Sequence, residues 1–247
     1  MAMARTAEGR DGDRESMVRE GYWFGVPPLL LGIILLTCTH GWLSRSGLVF
    51  VLLGLFVFSF FRNPDRAIPE DDGLIVAPAD GRVVVVRQET EQGRPGKRLS
   101  IFLAIWNVHV NRAPAAGRIV RLDYKRGRFL AAWDENASVQ NEQNVFTQST
   151  EHGDIVYKQI AGWVARRVIA WKKVGDEVAR GERIGLVRFG SRVDLWLPGD
   201  AEILVKVGDN VKGGSSVLAR MPEGMRRRNP NLRSDPTAEK LQDEGRS

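Results

Sequence analysis

The sequence predicts a mainly β domain, barrel- or sandwich-like, carried behind an N-terminal hydrophobic helical membrane anchor. Between Tyr22 and Phe61 the only ionisable residues are Tyr22, Cys38, His40 and Arg45, a composition suited to hydrocarbon. Beyond it, short β-branched runs alternate with Gly, Pro and Asp punctuation, the pattern of many short strands. Val-Gly-Asp-x-Val-x-x-Gly occurs twice, from Val174 and from Val207, so one strand-turn unit is used twice.

The anchor, residues 21–61, contains two apolar runs, GYWFGVPPLLLGIILLTC and GLVFVLLGLFVFSFF. Each is somewhat shorter than the ~20 residues of a spanning helix, and Pro27-Pro28 is expected to interrupt the first. Two short spans and a hairpin that only dips into the bilayer both fit. A cleaved signal peptide fits less well, because the apolar zone begins late and runs past any small-residue cleavage site. Arg14 and Arg19 precede the first run, and Arg62 and Arg66 follow the second, with Arg45 alone between them. The basic bias therefore puts both ends on the cytoplasmic side. Aromatic residues at the run ends, Tyr22, Trp23, Phe24, Trp42, Phe60 and Phe61, suit an interface.

Residues 1–20 read as a flexible cytoplasmic leader and 222–247 as a disordered tail, since neither shows apolar periodicity. Between them, 62–221 forms the β-rich domain. LIVAP, RVVVV, LSIFLAI, GRIVRLDY, DIVYKQIAG, RRVIAW, RIGLVRF, VDLWLP and AEILVKV read as its strands. The single cysteine, Cys38, excludes a disulfide scaffold, and three scattered histidines exclude a clustered zinc site. Lys+Arg 36 against Asp+Glu 30 gives a net charge of +6, which favours an anionic partner. No compact basic stripe with interleaved aromatics points to nucleic acid, which leaves anionic membrane lipid.

The repeated turn is similar to those of hammerhead barrels of the biotinyl/lipoyl type, yet no acceptor lysine lies in a hairpin between its copies. That interval holds LVRFGSRVDLWLP instead, where Gly190-Ser191 opens a strand whose Val193, Leu195 and Leu197 share an apolar face. A Gly-Ser pair alone is an ordinary corner.

Four stretches together carry more. Phe189-Gly190-Ser191-Arg192-Val193-Asp194 resembles the self-cleavage site of the phosphatidylserine decarboxylase proenzymes in their short bacterial and archaeal form. Ala77-Pro78-Ala79-Asp80-Gly81 resembles that family's Pro-Ala-Asp-Gly segment. Asn107-Val108-His109-Val110-Asn111-Arg112-Ala113-Pro114 resembles its histidine segment, and Asn141-Glu142-Gln143-Asn144 its Asn-Glu-Arg-Asn stretch, with Gln143 in place of Arg. The resemblance runs from about Arg62 to Ala219, plus the anchor.

It implies that Ser191 Oγ attacks the Gly190 carbonyl, converting peptide to ester, and that β-elimination and loss of ammonia leave a pyruvoyl group at position 191. The amine of phosphatidylserine then forms a Schiff base with that group, CO2 leaves, and phosphatidylethanolamine is released without a diffusible cofactor. A serine hydroxyl needs a base oriented by a carboxylate. His40 lies in the anchor and His152 in a polar turn, which leaves His109, on a strand-like Ile105–Val110, and the resemblance supplies Asp80 as its acidic partner. Arg112 and Arg192 beside these motifs read as surface or structural arginines.

The resemblance further implies an enzyme of the bacterial cell membrane with its catalytic domain on the cytoplasmic side. Its large and small chains would form a heterodimer able to assemble further. The competing reading is a membrane-tethered hammerhead-barrel adaptor in which Gly190-Ser191 stays uncut.

Overall fold

The computed structural model describes residues 16–91, 93–163, 167–188 and 190–222. The expected leader up to residue 15 and the expected tail beyond residue 222 lie outside the described residues. Among those described, the chain is mainly β behind two apolar helices.

The helices are α1 (Arg19–Cys38) and α2 (Trp42–Phe60). At 20 and 19 residues each is close to 30 Å long, long and apolar enough to cross a membrane. Pro27 and Pro28 do not break the first helix, contrary to expectation, and lie inside it. Packing explains their tolerance. Gly25 and Gly32 of α1 face Gly47 and Gly54 of α2 so closely that a methyl group on Gly32 would come 2.6 Å from the Val51 nitrogen. This small-residue seam holds α1 along its whole length against α2, so the missing proline donors leave it continuous.

The strands are β1 (Leu74–Val76), β2 (Gly81–Glu91), β3 (Arg94–Leu103), β4 (Val110–Arg112), β5 (Gly117–Lys125), β6 (Gln143–Thr150) and β7 (Gly153–Ile160). They continue with β8 (Val168–Ala170), β9 (Glu177–Val178), β10 (Arg183–Val187), β11 (Ser191–Pro198), β12 (Glu202–Ile203), β13 (Asn210–Val211) and β14 (Val217–Arg220). A single-turn helix, α3 (Ala137–Gln140), precedes β6. An eight-stranded sheet in the order β13-β2-β3-β11-β7-β6-β5-β9 curls into a half-barrel, closed by two three-stranded sheets, β1-β14-β12 and β4-β10-β8. Its inward side carries Leu99, Ile101, Leu103, Val193, Leu195, Leu197, Phe146, Ile155 and Tyr157, which bury against Ile75, Leu218 and Ala219.

The two Val-Gly-Asp units occupy corresponding places. Asp176 accepts from the Lys173 amide and Asp209 from the Lys206 amide, each at 2.9 Å, tightening the two turns alike. β9 pairs with the start of β5 and β13 with the start of β2. Those starts are themselves related: Ala77-Pro78-Ala79-Asp80-Gly81-Arg82-Val83 matches Ala113-Pro114-Ala115-Ala116-Gly117-Arg118-Ile119, and Gly81 and Gly117 adopt φ of 154° and 152°. The domain is thus built from two interlocked, similar halves, with Asp80 in one where Ala116 stands in the other.

The foot of the helix pair is part of this domain. Val18, Val57, Phe60 and Phe61 bury against Val108, Val110 and Leu186, so the anchor packs directly on the β4-β10-β8 sheet. Arg112, in β4, fixes the connecting segment by donating to Gly181 O at 2.9 Å, Asn63 Oδ1 at 2.6 Å and Pro64 O at 3.3 Å. Arg112→Ala should therefore lower unfolding free energy by about 2–3 kcal/mol, because acceptors are left without a donor. Thermal or denaturant melts of the purified chain would show it, and an unchanged midpoint would contradict this role.

Candidate active site

Ser191 is the first residue of β11, the strand held between β3 and β7. It pairs with Leu103 and, by strand alternation with Val193 and Leu195, faces the interior. It is fully buried and its Oγ has no hydrogen-bond partner. Gly190 precedes it with φ 51°, a left-handed conformation that costs an L side chain about 1–2 kcal/mol. Gly162 lies against the Gly190 carbonyl, and a Cβ on Gly162 would overlap that oxygen. The Ala161–Trp163 turn is therefore the wall that sets the direction of this carbonyl.

His109 does not sit within a strand over Ile105–Val110. Ile105 and Trp106 form a turn, and His109 immediately precedes β4. Polar turn bonds override the apolar run: Asn107 Oδ1 accepts from the Ala104 amide at 2.9 Å, and Arg62, at the end of α2, donates to the Trp106 carbonyl at 2.8 Å. The His109 ring is fully buried, with its centroid 4.0 Å from that of Phe60. Its Nδ1 lies 2.8 Å from the Asn107 carbonyl oxygen. A carbonyl only accepts, so Nδ1 carries the proton of the neutral ring and Nε2 holds the lone pair. Nε2 is buried without a partner.

Burial lowers the His109 pKa from 6.5 to about 4, with Arg62 adding repulsion and the Asn107 bond opposing both. The folded state thus disfavours the proton that the unfolded chain takes up, and this contribution to stability is lost as pH falls from 6.5 toward 4. By NMR, His109 in the uncleaved Ser191→Ala chain should titrate near pH 4. The drop in melting temperature over that window should shrink on His109→Gln, whereas a midpoint near 6.5 would contradict the burial.

Asp80 is buried but does not bond His109. Its carboxylate accepts two bonds from Arg66 Nη2, at 3.0 and 2.8 Å, and one from the Gly213 amide at 2.7 Å. The Asp80-His109-Ser191 relay expected from sequence is therefore not assembled in this structure, because the acid is paired with Arg66 and the imidazole is oriented by backbone. The matching turn at Ala116 forms without a carboxylate. The other two histidines stand apart: His40 is exposed between the helices, and His152 is buried with Nε2 3.1 Å from Asp72 Oδ1.

Arg192 is buried, in line with a structural role. Its Nε donates to Asp194 Oδ1 at 2.6 Å and its Nη2 to Ser100 Oγ at 2.7 Å, while Ser138 Oγ donates to Asp194 Oδ2 at 2.7 Å. This network ties α3 to the strand that begins with Ser191. Asn141 holds the adjoining loops, donating to the Leu130 and Ala161 carbonyls at 2.8 and 2.7 Å. Sequence reasoning did not single out Gly162 or Gln159, and it read Phe60 as an interfacial aromatic, whereas Phe60 is buried against His109. The match between Ala77–Val83 and Ala113–Ile119 was the available signal that Asp80, where the halves differ, is not needed for its turn.

A β domain with a buried, unpartnered serine hydroxyl after a glycine, a buried imidazole whose Nε2 has no partner, and two helices long and apolar enough to cross a membrane defines a class of protein in which a polar interior is coupled to an apolar helical pair. A sequence model described as phosphatidylserine decarboxylase matches residues 53–219. A protein of Symbiobacterium thermophilum named phosphatidylserine decarboxylase proenzyme is 44% identical over 217 residues, covering 86% of this chain and 99% of that one. Proteins with the same name from Solibacter usitatus and Cupriavidus pinatubonensis are 48% and 40% identical over 170 and 211 residues, covering 69% and 84% of this chain and 81% and 96% of theirs. The chain belongs to the phosphatidylserine decarboxylase family.

Proposed function

We propose that the chain is made as a proenzyme that cuts itself between Gly190 and Ser191 and then converts phosphatidylserine to phosphatidylethanolamine and CO2. The observation that carries this is the buried, unpartnered Ser191 hydroxyl directly after a glycine in left-handed conformation. A hydroxyl kept from water and from every protein acceptor is costly to bury, and the N-to-O acyl shift gives it a use.

Ser191 Oγ attacks the Gly190 carbonyl carbon, the Oγ–H proton passes to a base, and the peptide nitrogen leaves with a proton as the ester forms. Loss of the Ser191 α-proton then breaks the ester, leaving Gly190 as a carboxylate and a dehydroalanine that takes up water and loses ammonia. His109 Nε2 is the base: it has a free lone pair inside the domain, whereas His152 Nδ1, also buried without a partner, lies at the far end of β7 from the start of β11. Asp80 is assigned to the same machinery as the site's carboxylate, because Ala116 shows that the turn itself does not require it. Its approach to His109 requires the Arg66 pair to open.

The interior polar atoms fit a pyruvoyl group derived from Ser191: Ser191 Oγ and His109 Nε2 are both buried and unpartnered. Such a group supplies an electrophilic carbonyl for the substrate amine and a sink for the electrons left by departing CO2. The surrounding residues keep it dry, and His109 can return a proton to carbon.

The helix pair is proposed to seat the domain on the cytoplasmic face of the cell membrane, where the lipid head group is found. Trp106 and Trp163, 70% and 72% exposed on turns beside His109 and Gly190, suit such an interface. After cleavage the chains 1–190 and 191–247 would remain a heterodimer, because β11 lies between β3 and β7 of the large chain. The interlocked halves are consistent with a hammerhead-type barrel.

Intact-mass analysis of purified protein should give two chains divided after Gly190, the smaller lighter than its serine-started peptide by the difference between a pyruvoyl and a seryl end. Ser191→Ala should remain one chain, and its cleavage would refute the nucleophile. Gly162→Ala should slow cleavage at least tenfold while melting like Ser191→Ala, since its methyl displaces the carbonyl under attack.

A further inference from the structure

Three buried side-chain amides are joined in one direction. Asn144 Nδ2 donates to Gln159 Oε1 at 2.9 Å, and Gln159 Nε2 donates to Asn111 Oδ1 at 2.8 Å. The chain therefore ends in Asn111 Nδ2, a donor that is fully buried with no acceptor. Such a group costs the fold its full desolvation penalty, yet the neighbours make room for it. Gly185 of β10 faces the amide, and a Cβ there would come 2.7 Å from Gln159 Nε2.

Strand register puts Gln159, which holds this donor, near Ser191. Gln159 is paired with Val193 and with Asn144 across β11, β7 and β6. Ser191 precedes Val193 by two residues on the same inward face, a spacing of about 6.6 Å. Asn111 itself lies two residues beyond His109, at the start of β4. Ser191 is as buried as Asn111, so an opening that admits a substrate amine to position 191 reaches this interior as well.

We propose that Asn111 Nδ2, aligned by Gln159 and Asn144, receives the carboxylate of the substrate's serine head group. The inference rests on the decarboxylase reading and adds the residue that tells the substrate from its product. A lone donor at the end of an oriented amide chain calls for an anionic acceptor. The head group offers two, a carboxylate and a phosphate, and only the carboxylate is attached to the carbon that bears the reacting amine. Asn111 is then a specificity residue, with Gln159 and Asn144 as positioning residues. A neutral amide also suits a carboxylate that must leave as CO2, since it orients the group without the stronger ground-state stabilisation of a cation.

The test uses the full-length, matured enzyme in detergent micelles containing either phosphatidylserine or phosphatidylethanolamine, with cyanoborohydride present. Amine and ketone condense with loss of water, the reductant delivers hydride and solvent a proton, and the small chain gains the lipid's mass less one oxygen, and less CO2 as well where phosphatidylserine was decarboxylated before reduction. Wild type should capture both lipids. Asn111→Leu should still cleave itself, showing that it folds, but should capture phosphatidylserine at least tenfold more slowly while capturing phosphatidylethanolamine at the wild-type rate. Asn111→Asp, which keeps the acceptor for Gln159, should show the same selective loss and serves if the leucine variant does not mature. Equal loss with both lipids would point to the phosphate or to packing and overturn the assignment, as would no loss with either. Failure of wild type to cleave after Gly190, or to capture either lipid, would instead refute the decarboxylase chemistry itself.

Discussion

The placement of β11 between β3 and β7 is the constraint from which the rest of the site follows. Eight consecutive residues of β11, from Ser191 to Pro198, pair with β3, and five of them also pair with β7. A strand held on both edges cannot slip by a residue without turning its apolar side outward. The position of Ser191, its inward direction and the neighbours it meets are thereby settled by pairing rather than by contacts of its own. The backbone immediately before it is free of that ladder, and the left-handed Gly190 sits there. Rigid strand and adaptable entry meet at one peptide bond, and none of these pairings would be lost if that bond were broken.

Around this point the domain accepts an energetic cost. Ser191 Oγ, His109 Nε2 and Asn111 Nδ2 are all removed from water without a partner, at about 1–3 kcal/mol each. The inward core of Leu99, Ile101, Val193 and Tyr157 offsets it. Other buried atoms, among them Arg98 Nε, Thr147 Oγ1 and Arg180 Nε, also lack partners; Ser191, His109 and Asn111 are set apart by lying at, or within two residues of, the Gly-Ser and histidine motifs.

Much of the architecture was legible in the sequence because most strands alternate between apolar and polar or run as β-branched segments. The apolar zone announced the helices, although Pro27-Pro28 hid the continuity of the first; tolerance of prolines depends on the partner helix, which local sequence does not encode. β4 and β6 were harder to read. Their inward positions include Asn111 and Asn144, and hydrophobic periodicity cannot recognise amides that are buried by bonding to one another. Ser191 and His109 stood out through motifs, but the partner of Asp80 could not. Arg66 lies in a segment without periodicity, and only the fold brings it to the carboxylate. The direction of the His109 ring likewise depends on a backbone carbonyl, which every residue possesses.

The contact between Phe60 and His109 ties the apolar helices to the interior of the β domain. Phe60 is the last residue of α2, and its ring covers the imidazole. A shortened, soluble form of the protein therefore has a natural limit. Removal of the hairpin through Phe61 would uncover His109 as well as the apolar foot formed by Val108, Val110 and Leu186. Water admitted there would let the imidazole pKa return toward its ordinary value, turning a neutral ring into a partly charged one near pH 6. In the proposed mechanism the hydrophobic hairpin is thus also a lid on the proton chemistry, and its last turn belongs to the domain that it carries.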